Sequence, residues 1–218
     1  MNETLQNQRA AFAMKFTVIG NMAVGKTSVV QTWYNETETS SMSATVMVDF
    51  LGKNVKVDNE VVSIQIWDTA GSEKFQSIMT SYYKNAAGIA IIFDLTNRES
   101  FQKCQEWYDK TQDLCLPSSV VILIGNKSDM SGRQVTFEEA AAFAMDKKMT
   151  YRETSIKEPE SVMRAFDLLI KKAFVHVESD ESPATVGQDA NRGNSDNFSL
   201  KVDNRAEPSD RKQCCKPS

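Results

Sequence analysis

The sequence predicts an α/β fold, a mostly parallel β-sheet flanked by helices. Three observations predict it. The continuous apolar runs Gly88–Phe93 and Val120–Ile124 suit parallel strands buried on both faces. Segments of helical spacing alternate with strand-like segments along the chain. Near the start, the loop Gly20-Asn21-Met22-Ala23-Val24-Gly25-Lys26-Thr27 joins a strand-like run to a helix-like one.

Residues 1–13 are polar at the start and are expected to form a flexible extension ahead of a domain spanning 14–176. Met14–Ile19 reads as the first strand, and Ser28–Tyr34 as the opening of the first helix. Asn35–Ser43 has no hydrophobic period and reads as a loop. Val46–Val57 reads as a strand, Asp58-Asn59 as a turn, and Val62, Ile64 and Ile66 alternate with polar residues. That pattern is a hairpin with one buried face. Trp67-Asp68-Thr69-Ala70-Gly71 closes its second strand. Ser100–Leu114 reads as a helix between the two apolar runs. Thr136 and Glu139 form a capping box for a helix through Ala140 to Met145. Pro159 opens the last helix, where a missing N–H does no harm. Val162, Met163, Phe166, Leu169, Ile170 and Phe174 give that helix one apolar face. From Val177 to Ser218 the composition turns polar, and this tail is expected to be disordered.

The chain has 218 residues, room for one domain plus a tail. A net charge of −4 argues against nucleic acid as a partner. No apolar run approaches the roughly 20 residues of a membrane helix, and the polar start is not a signal peptide. Position 2 is Asn, so myristoylation is not indicated. Four cysteines are present, none with metal-ligand spacing, which fits a reducing compartment. Cys104 and Cys115 read as packing residues. A single histidine, His176, excludes multi-histidine metal sites by count.

The glycine-bounded loop carries the chemistry. A strand, a loop with two glycines five apart, then Lys-Thr and a helix is the context of a P-loop. Backbone N–H groups from Gly20 to Ser28, including those of Ala23, Val24 and Gly25, and the positive helix end would cradle phosphate oxygens. Lys26 can reach the outer phosphates, and the Thr27 hydroxyl can ligate Mg²⁺. Alone, the pattern also fits a plain strand-turn-helix. Asp68 ends a strand, where an acid holds Mg²⁺, usually through water, and the Gly71 N–H can face a terminal phosphate. Asn126-Lys127-Ser128-Asp129 follows another strand. A carboxylate at Asp129 accepts from the N1–H and amine of guanine, a donor pair that adenine lacks. Asn126 can bond the base or tie its loop to the P-loop, and the Lys127 stem can lie along the ring. Glu153-Thr154-Ser155-Ile156-Lys157 follows the last strand and can close the other side of the base. Each motif alone is a common turn; three in this order, each after a strand, point to a guanine-nucleotide site. A phosphate-transferring P-loop kinase is disfavoured by Asn126–Asp129.

From Met14 to His176 the chain resembles the small GTPases of the Ras superfamily, most of all the Rab branch. Val48-Asp49-Phe50, Trp67–Gly71 and Tyr82-Tyr83-Lys84-Asn85-Ala86 resemble Rab segments, and Cys214-Cys215 resembles the Rab double-geranylgeranyl site. The resemblance implies a P-loop NTPase G domain with a six-stranded sheet and GTP, GDP and Mg²⁺ as ligands. It makes Thr45 the switch I threonine that reaches Mg²⁺ with GTP bound. It places switch II at about Gly71 to Tyr83 and an effector-reading aromatic triad at Phe50, Trp67 and Tyr82. It implies an exchange factor, a GTPase-activating protein, effectors, and prenylation-escort and dissociation-inhibitor proteins as partners of a monomer. The implied place is the cytoplasmic face of an intracellular membrane in vesicle traffic, with a cytosolic pool.

The chain departs from the pattern at several positions. Ser72 stands where most relatives have the glutamine that orients the attacking water. Glu38 falls where the family places an aromatic against guanine, and Met42 where it often has Tyr. Met22 replaces a small P-loop residue, Ala23 and Met47 replace glycines, and Ile156 replaces an alanine. If the Ala23 position needs φ > 0, the methyl costs about 1 kcal/mol. Two readings follow: a cycling GTPase whose slow hydrolysis depends on a partner, or a hydrolysis-deficient GTP-binding scaffold that recruits effectors. A serine hydroxyl is too short to position the water, so Ser72→Gln is expected to accelerate intrinsic hydrolysis in single-turnover assays. An ordinary wild-type rate, with no gain in Ser72→Gln, contradicts this.

Overall fold

The computed structural model describes residues 8–35, 49–68 and 83–179. They form strands β1 (Phe12–Ile19), β2 (Asp49–Val57), β3 (Glu60–Asp68), β4 (Gly88–Asp94), β5 (Val120–Asn126) and β6 (Thr150–Thr154). The helices are α1 (Lys26–Asn35), α2 (Arg98–Gln102), α3 (Cys104–Leu114), α4 (Phe137–Asp146) and α5 (Pro159–Ser179). The six strands make one sheet in the order β2-β3-β1-β4-β5-β6. β2 runs antiparallel to β3, and every other pairing is parallel. The mostly parallel six-stranded sheet is therefore as expected.

Two apolar layers hold it. On one face Trp33 of α1 and Phe166 of α5 stack at 5.6 Å over Phe16, Ile64 and Ile92. On the other, Phe101 of α2, Trp107 of α3 and Ala140 of α4 cover Ile89, Ile91 and Phe93. β4 sends alternate residues into the two layers and is buried from end to end, which is why it reads as an unbroken apolar run. The expected hairpin is present. Val62, Ile64 and Ile66 are buried, and Asp58 takes a left-handed conformation (φ 51°) in its turn.

Several boundaries differ from the sequence reading. β1 begins at Phe12, where the ring stacks on Phe174 at 6.0 Å. α1 begins at Lys26, with Val29 N–H already bonded to the Gly25 carbonyl at 3.0 Å. The helix expected from Ser100 starts at Arg98, because Asn97 caps it by accepting from Ser100 N–H. It divides at Lys103, whose N–H is shared between the Glu99 and Phe101 carbonyls. Only half of the expected capping box forms. Thr136 accepts from Glu139 N–H, but the Glu139 carboxylate pairs with Arg98. α5 runs to Ser179, past the expected boundary at His176, since no glycine or proline interrupts it before Pro183. Residues 1–7, 36–48, 69–82 and 180–218 lie outside the description, and so do much of the expected extension 1–13, whose last two residues belong to β1, the expected switch regions, except Tyr83, and nearly all of the tail.

Candidate functional site

The carboxyl ends of β1, β3, β4, β5 and β6 lie at one edge of the sheet, where ligands of such folds sit. The loop from Gly20 to Gly25 leaves β1 there. Gly20 has φ 142°, and a Cβ on it would stand 2.1 Å from the Ile92 carbonyl oxygen. Gly25 has φ 96°, and a Cβ on it would stand 2.5 Å from Asn126 Nδ2. Both positions therefore require glycine. Ala23 has φ 64°, so the position does need a left-handed residue and carries the anticipated cost.

Lys26, Thr27 and Ser28 form the first turn of α1. Lys26 is buried, and its ammonium donates to the Gly20 carbonyl at 3.0 Å and the Asn21 carbonyl at 2.8 Å. Burial pushes its pKa down to about 8, against the opposing charge of Asp68. The Thr27 hydroxyl donates to the carboxylate of Asp68, a buried residue at the end of β3. A cation, two hard oxygen groups and a helix N-terminus thus share one spot, which suits phosphate and a divalent cation.

A second cluster stands beside the first. Asn126 ends β5 and is buried. Its Nδ2 donates to the Val24 carbonyl at 2.9 Å, and its Oδ1 accepts from the Thr154 hydroxyl at 3.1 Å. Of the two roles open to Asn126, the tie to the P-loop is the one formed here. Lys127 (φ 65°) lies 2.6 Å from Asp94 Oδ2 and donates to the Ala23 carbonyl at 3.0 Å. Burial pushes the Asp94 carboxyl up, but hydrogen bonds from Lys127 and Thr96 outweigh it and hold it below the usual range. Asp129 Oδ1 accepts from the Ser155 hydroxyl at 2.6 Å, and Oδ2 lies 3.2 Å from the Lys157 ammonium. The Ser155 hydroxyl is the main reason that the Asp129 carboxyl sits below the ordinary range. Ser155 is itself fixed, because its N–H donates to Ser161 Oγ at 3.0 Å. Ile156 is half-buried and packs on the α1/α5 layer.

The structure corrects one detail of this region. Glu153 and Thr154 belong to β6 rather than to the loop after it. Glu153 is turned to Arg133, at 2.7 Å, and to the Tyr151 hydroxyl. Phe50 and Trp67 face each other across β2 and β3 with rings 5.0 Å apart, and Phe50 is exposed. Thr45, Gly71, Ser72, Tyr82, Cys214 and Cys215 lie outside the described residues, as do Glu38, Met42 and Met47.

Residues 15–175 match the family model described as the Ras family. The chain belongs to the Ras family. Among curated proteins it is 33% identical to human Ras-related protein Rab-4A over 216 residues, covering 98% of this chain and 99% of the relative. It is 32% identical to Rab-11C of Dictyostelium discoideum over 187 residues, 85% of this chain and 83% of that one. Rab-4 of the same organism is 35% identical over 171 residues, 78% and 83% of the two chains. The chain is thus a GTP-binding small GTPase of the Rab type, whose branch serves vesicle traffic. No helix among the described residues is long and apolar enough to cross a membrane.

Sequence reasoning missed Asp94 and the Thr154 hydroxyl. Asp94 was within reach, since an acid directly after the apolar run Gly88–Phe93 ends a strand at the ligand edge. Asn126→Ala leaves the Val24 carbonyl and the Thr154 hydroxyl without these partners. It is expected to lower stability by about 1–3 kcal/mol in urea unfolding. A change within about 0.5 kcal/mol would show that the tie carries no energy.

Proposed function

We propose that the chain is a Rab-type guanine-nucleotide switch that hydrolyses GTP slowly without a partner. One observation carries the assignment of roles. The Lys26 ammonium and the Thr27–Asp68 pair meet at the start of α1, and Asn126 and Lys127, just before the Asp129 carboxylate that Ser155 and Lys157 hold, bond the loop leading into that helix. In this reading the backbone N–H groups from Gly20 to Ser28 and Lys26 hold the phosphates. Asp129 accepts from the guanine N1–H and amine. Lys127 lies along the base, Ser155, Ile156 and Lys157 close over it, and Asn126 keeps the two loops in register.

Thr27, Asp68 and Thr45 are the residues that would hold Mg²⁺. The Thr27–Asp68 contact supports this, since it joins two hard oxygen groups. Mg²⁺ commonly takes few protein ligands and completes its shell with water and phosphate. When bound, the ion neutralises charge on the outer phosphates. Gly71 would donate its N–H to the terminal phosphate. Ser72 leaves water positioning to a partner, and it is also what favours the second reading, a GTP-loaded scaffold. Phe50, Trp67 and Tyr82 are the surface we assign to effectors. An exchange factor, an activating protein, and escort and dissociation-inhibitor proteins complete the proposed cycle of a monomer.

Nucleotide bound after purification, followed by single-turnover GTP hydrolysis, tests this reading. Bound GDP or GTP, faster release on Mg²⁺ chelation and slow turnover are expected. Asp129→Asn is expected to weaken GTP by about a hundredfold or more and to favour xanthine nucleotides, which carry a carbonyl in place of the amine. Unaltered competition between the two bases would overturn the role of Asp129.

We further propose that Cys214 and Cys215 carry geranylgeranyl groups and hold the protein on the cytoplasmic face of an intracellular membrane, beside a cytosolic pool. One chain anchors only marginally, and stable attachment needs a second signal. The stretch from Val177 has eight acids and six bases, so charge does not supply that signal. Cys215-Lys216-Pro217-Ser218 lacks the aliphatic residues of a single-prenylation motif. Intact-mass measurement of protein from its native cell is expected to show two prenyl additions; none, with a soluble distribution, refutes the anchor.

A further inference from the structure

We propose that Trp107 of α3 is a positioning residue for the phosphate-binding loop, acting through the side chain of Asn21. The inference rests on the reading that Gly20–Ser28 holds the phosphates. The indole Nε1 of Trp107 donates to Asn21 Oδ1 at 2.8 Å, across 86 residues of sequence. The indole is buried against the α2/α3/α4 layer, and the Lys110 ammonium lies 4.3 Å from the centre of its ring. The donor is therefore fixed by core packing rather than by a mobile side chain.

The two halves of the loop are held differently. Its second half is tied to the end of β5, with Asn126 on the Val24 carbonyl and Lys127 on the Ala23 carbonyl. Its first half meets the Lys26 ammonium, through the carbonyls of Gly20 and Asn21. An outer phosphate would take the third donor of that same ammonium and pull on the contacts made by the other two. Lys26 holds only the backbone carbonyl of Asn21, whereas the indole N–H holds its side chain. Trp107 therefore keeps Asn21 in place while Lys26 is engaged with the ligand. Its loss loosens the phosphate cradle and leaves the base contacts of Asp129 intact. The signature is faster nucleotide release with unchanged base selectivity.

The test measures release of a fluorescent GDP analogue from the full chain. Trp107→Phe keeps the ring and removes the donor; Asn21→Ala removes the acceptor and leaves the core aromatic untouched. Each is expected to speed release about two- to tenfold, the range of one hydrogen bond. The double variant is expected to be no faster than the faster single one, because both remove the same contact. Lys110→Ala, which removes the cation beside the ring and leaves the N–H, is expected to keep the wild-type rate. The preference for guanine over xanthine nucleotide is expected to hold in all of them. Urea unfolding in saturating GDP separates a general loss of packing from a local one. Release within twofold of wild type in both single variants, or additive effects in the double, would overturn the proposal. Lys26→Ala is the control for the underlying reading. If it binds GDP as tightly as wild type, the phosphate site is misassigned; if it binds weakly and the Trp107 and Asn21 variants behave as wild type, only the tether fails.

Discussion

The site depends on one buried amide. Asn126 stands at the carboxyl end of β5 and bonds the P-loop on one side and β6 on the other. Its reach requires that position 25 carry no side chain, because a Cβ there would occupy the space of Nδ2. Glycine in the loop and asparagine at the strand end are thus two halves of one contact. The loop that would hold phosphates and the loops that would hold a base are kept in register by it. Neither cluster is rigid alone, since each is a turn at the end of a strand. Cross-bonding makes them one surface, with Lys127 on the Ala23 carbonyl and Ser128 N–H on the Thr154 carbonyl as further ties.

Charge at this edge follows from burial. The protein carries a net −4, yet the end of the site proposed to hold phosphate is built around a buried ammonium. Burial lowers the Lys26 pKa to about 8, which favours a partner of opposite charge. A phosphate would supply that charge and restore a higher pKa, so anion binding and lysine protonation reinforce each other. The end proposed to hold the base is arranged in the opposite sense. Asp129 is held ionised by a serine hydroxyl and a lysine, with oxygens suited to accept from a donor pair. One end is thus built to give hydrogen bonds and the other to accept them.

Much of this was legible in the sequence, for a physical reason. Gly88–Phe93 and Val120–Ile124 are apolar on both sides because helices cover both faces, so each declares its own burial. Elements fixed by local chemistry were equally readable: the Asp58 turn, the Thr136 cap and Pro159 at the start of α5. What escaped was set by distant partners. Glu139 has the right spacing to complete a capping box, but Arg98, 41 residues away, takes its carboxylate. The role of Asn126 stayed open because its choice between base and loop depends on where Val24 and Thr154 lie. Asp94 went unnoticed since its partner, Lys127, comes from the next strand end. The contact between Trp107 and Asn21 has no local signature at all.

Ala23 shows how such a site tolerates a departure from its own rules. Its φ of 64° lies in the region that favours glycine. A methyl there costs about 1–2 kcal/mol in backbone strain. Glycine at the same place would carry its own cost, about 0.4–1 kcal/mol, because the unfolded chain gains freedom. The net difference is between about 0 and 1.6 kcal/mol, small beside the roughly 5–15 kcal/mol that separates folded from unfolded states. The Ala23 side chain is exposed, so the strain brings no clash with the core. Gly20 and Gly25 have no such latitude. There a Cβ would meet a backbone carbonyl or the Asn126 amide at well under 3 Å, and neither can move without opening β4 or the central tie. The loop is therefore strict where it touches the sheet and permissive where it faces outward.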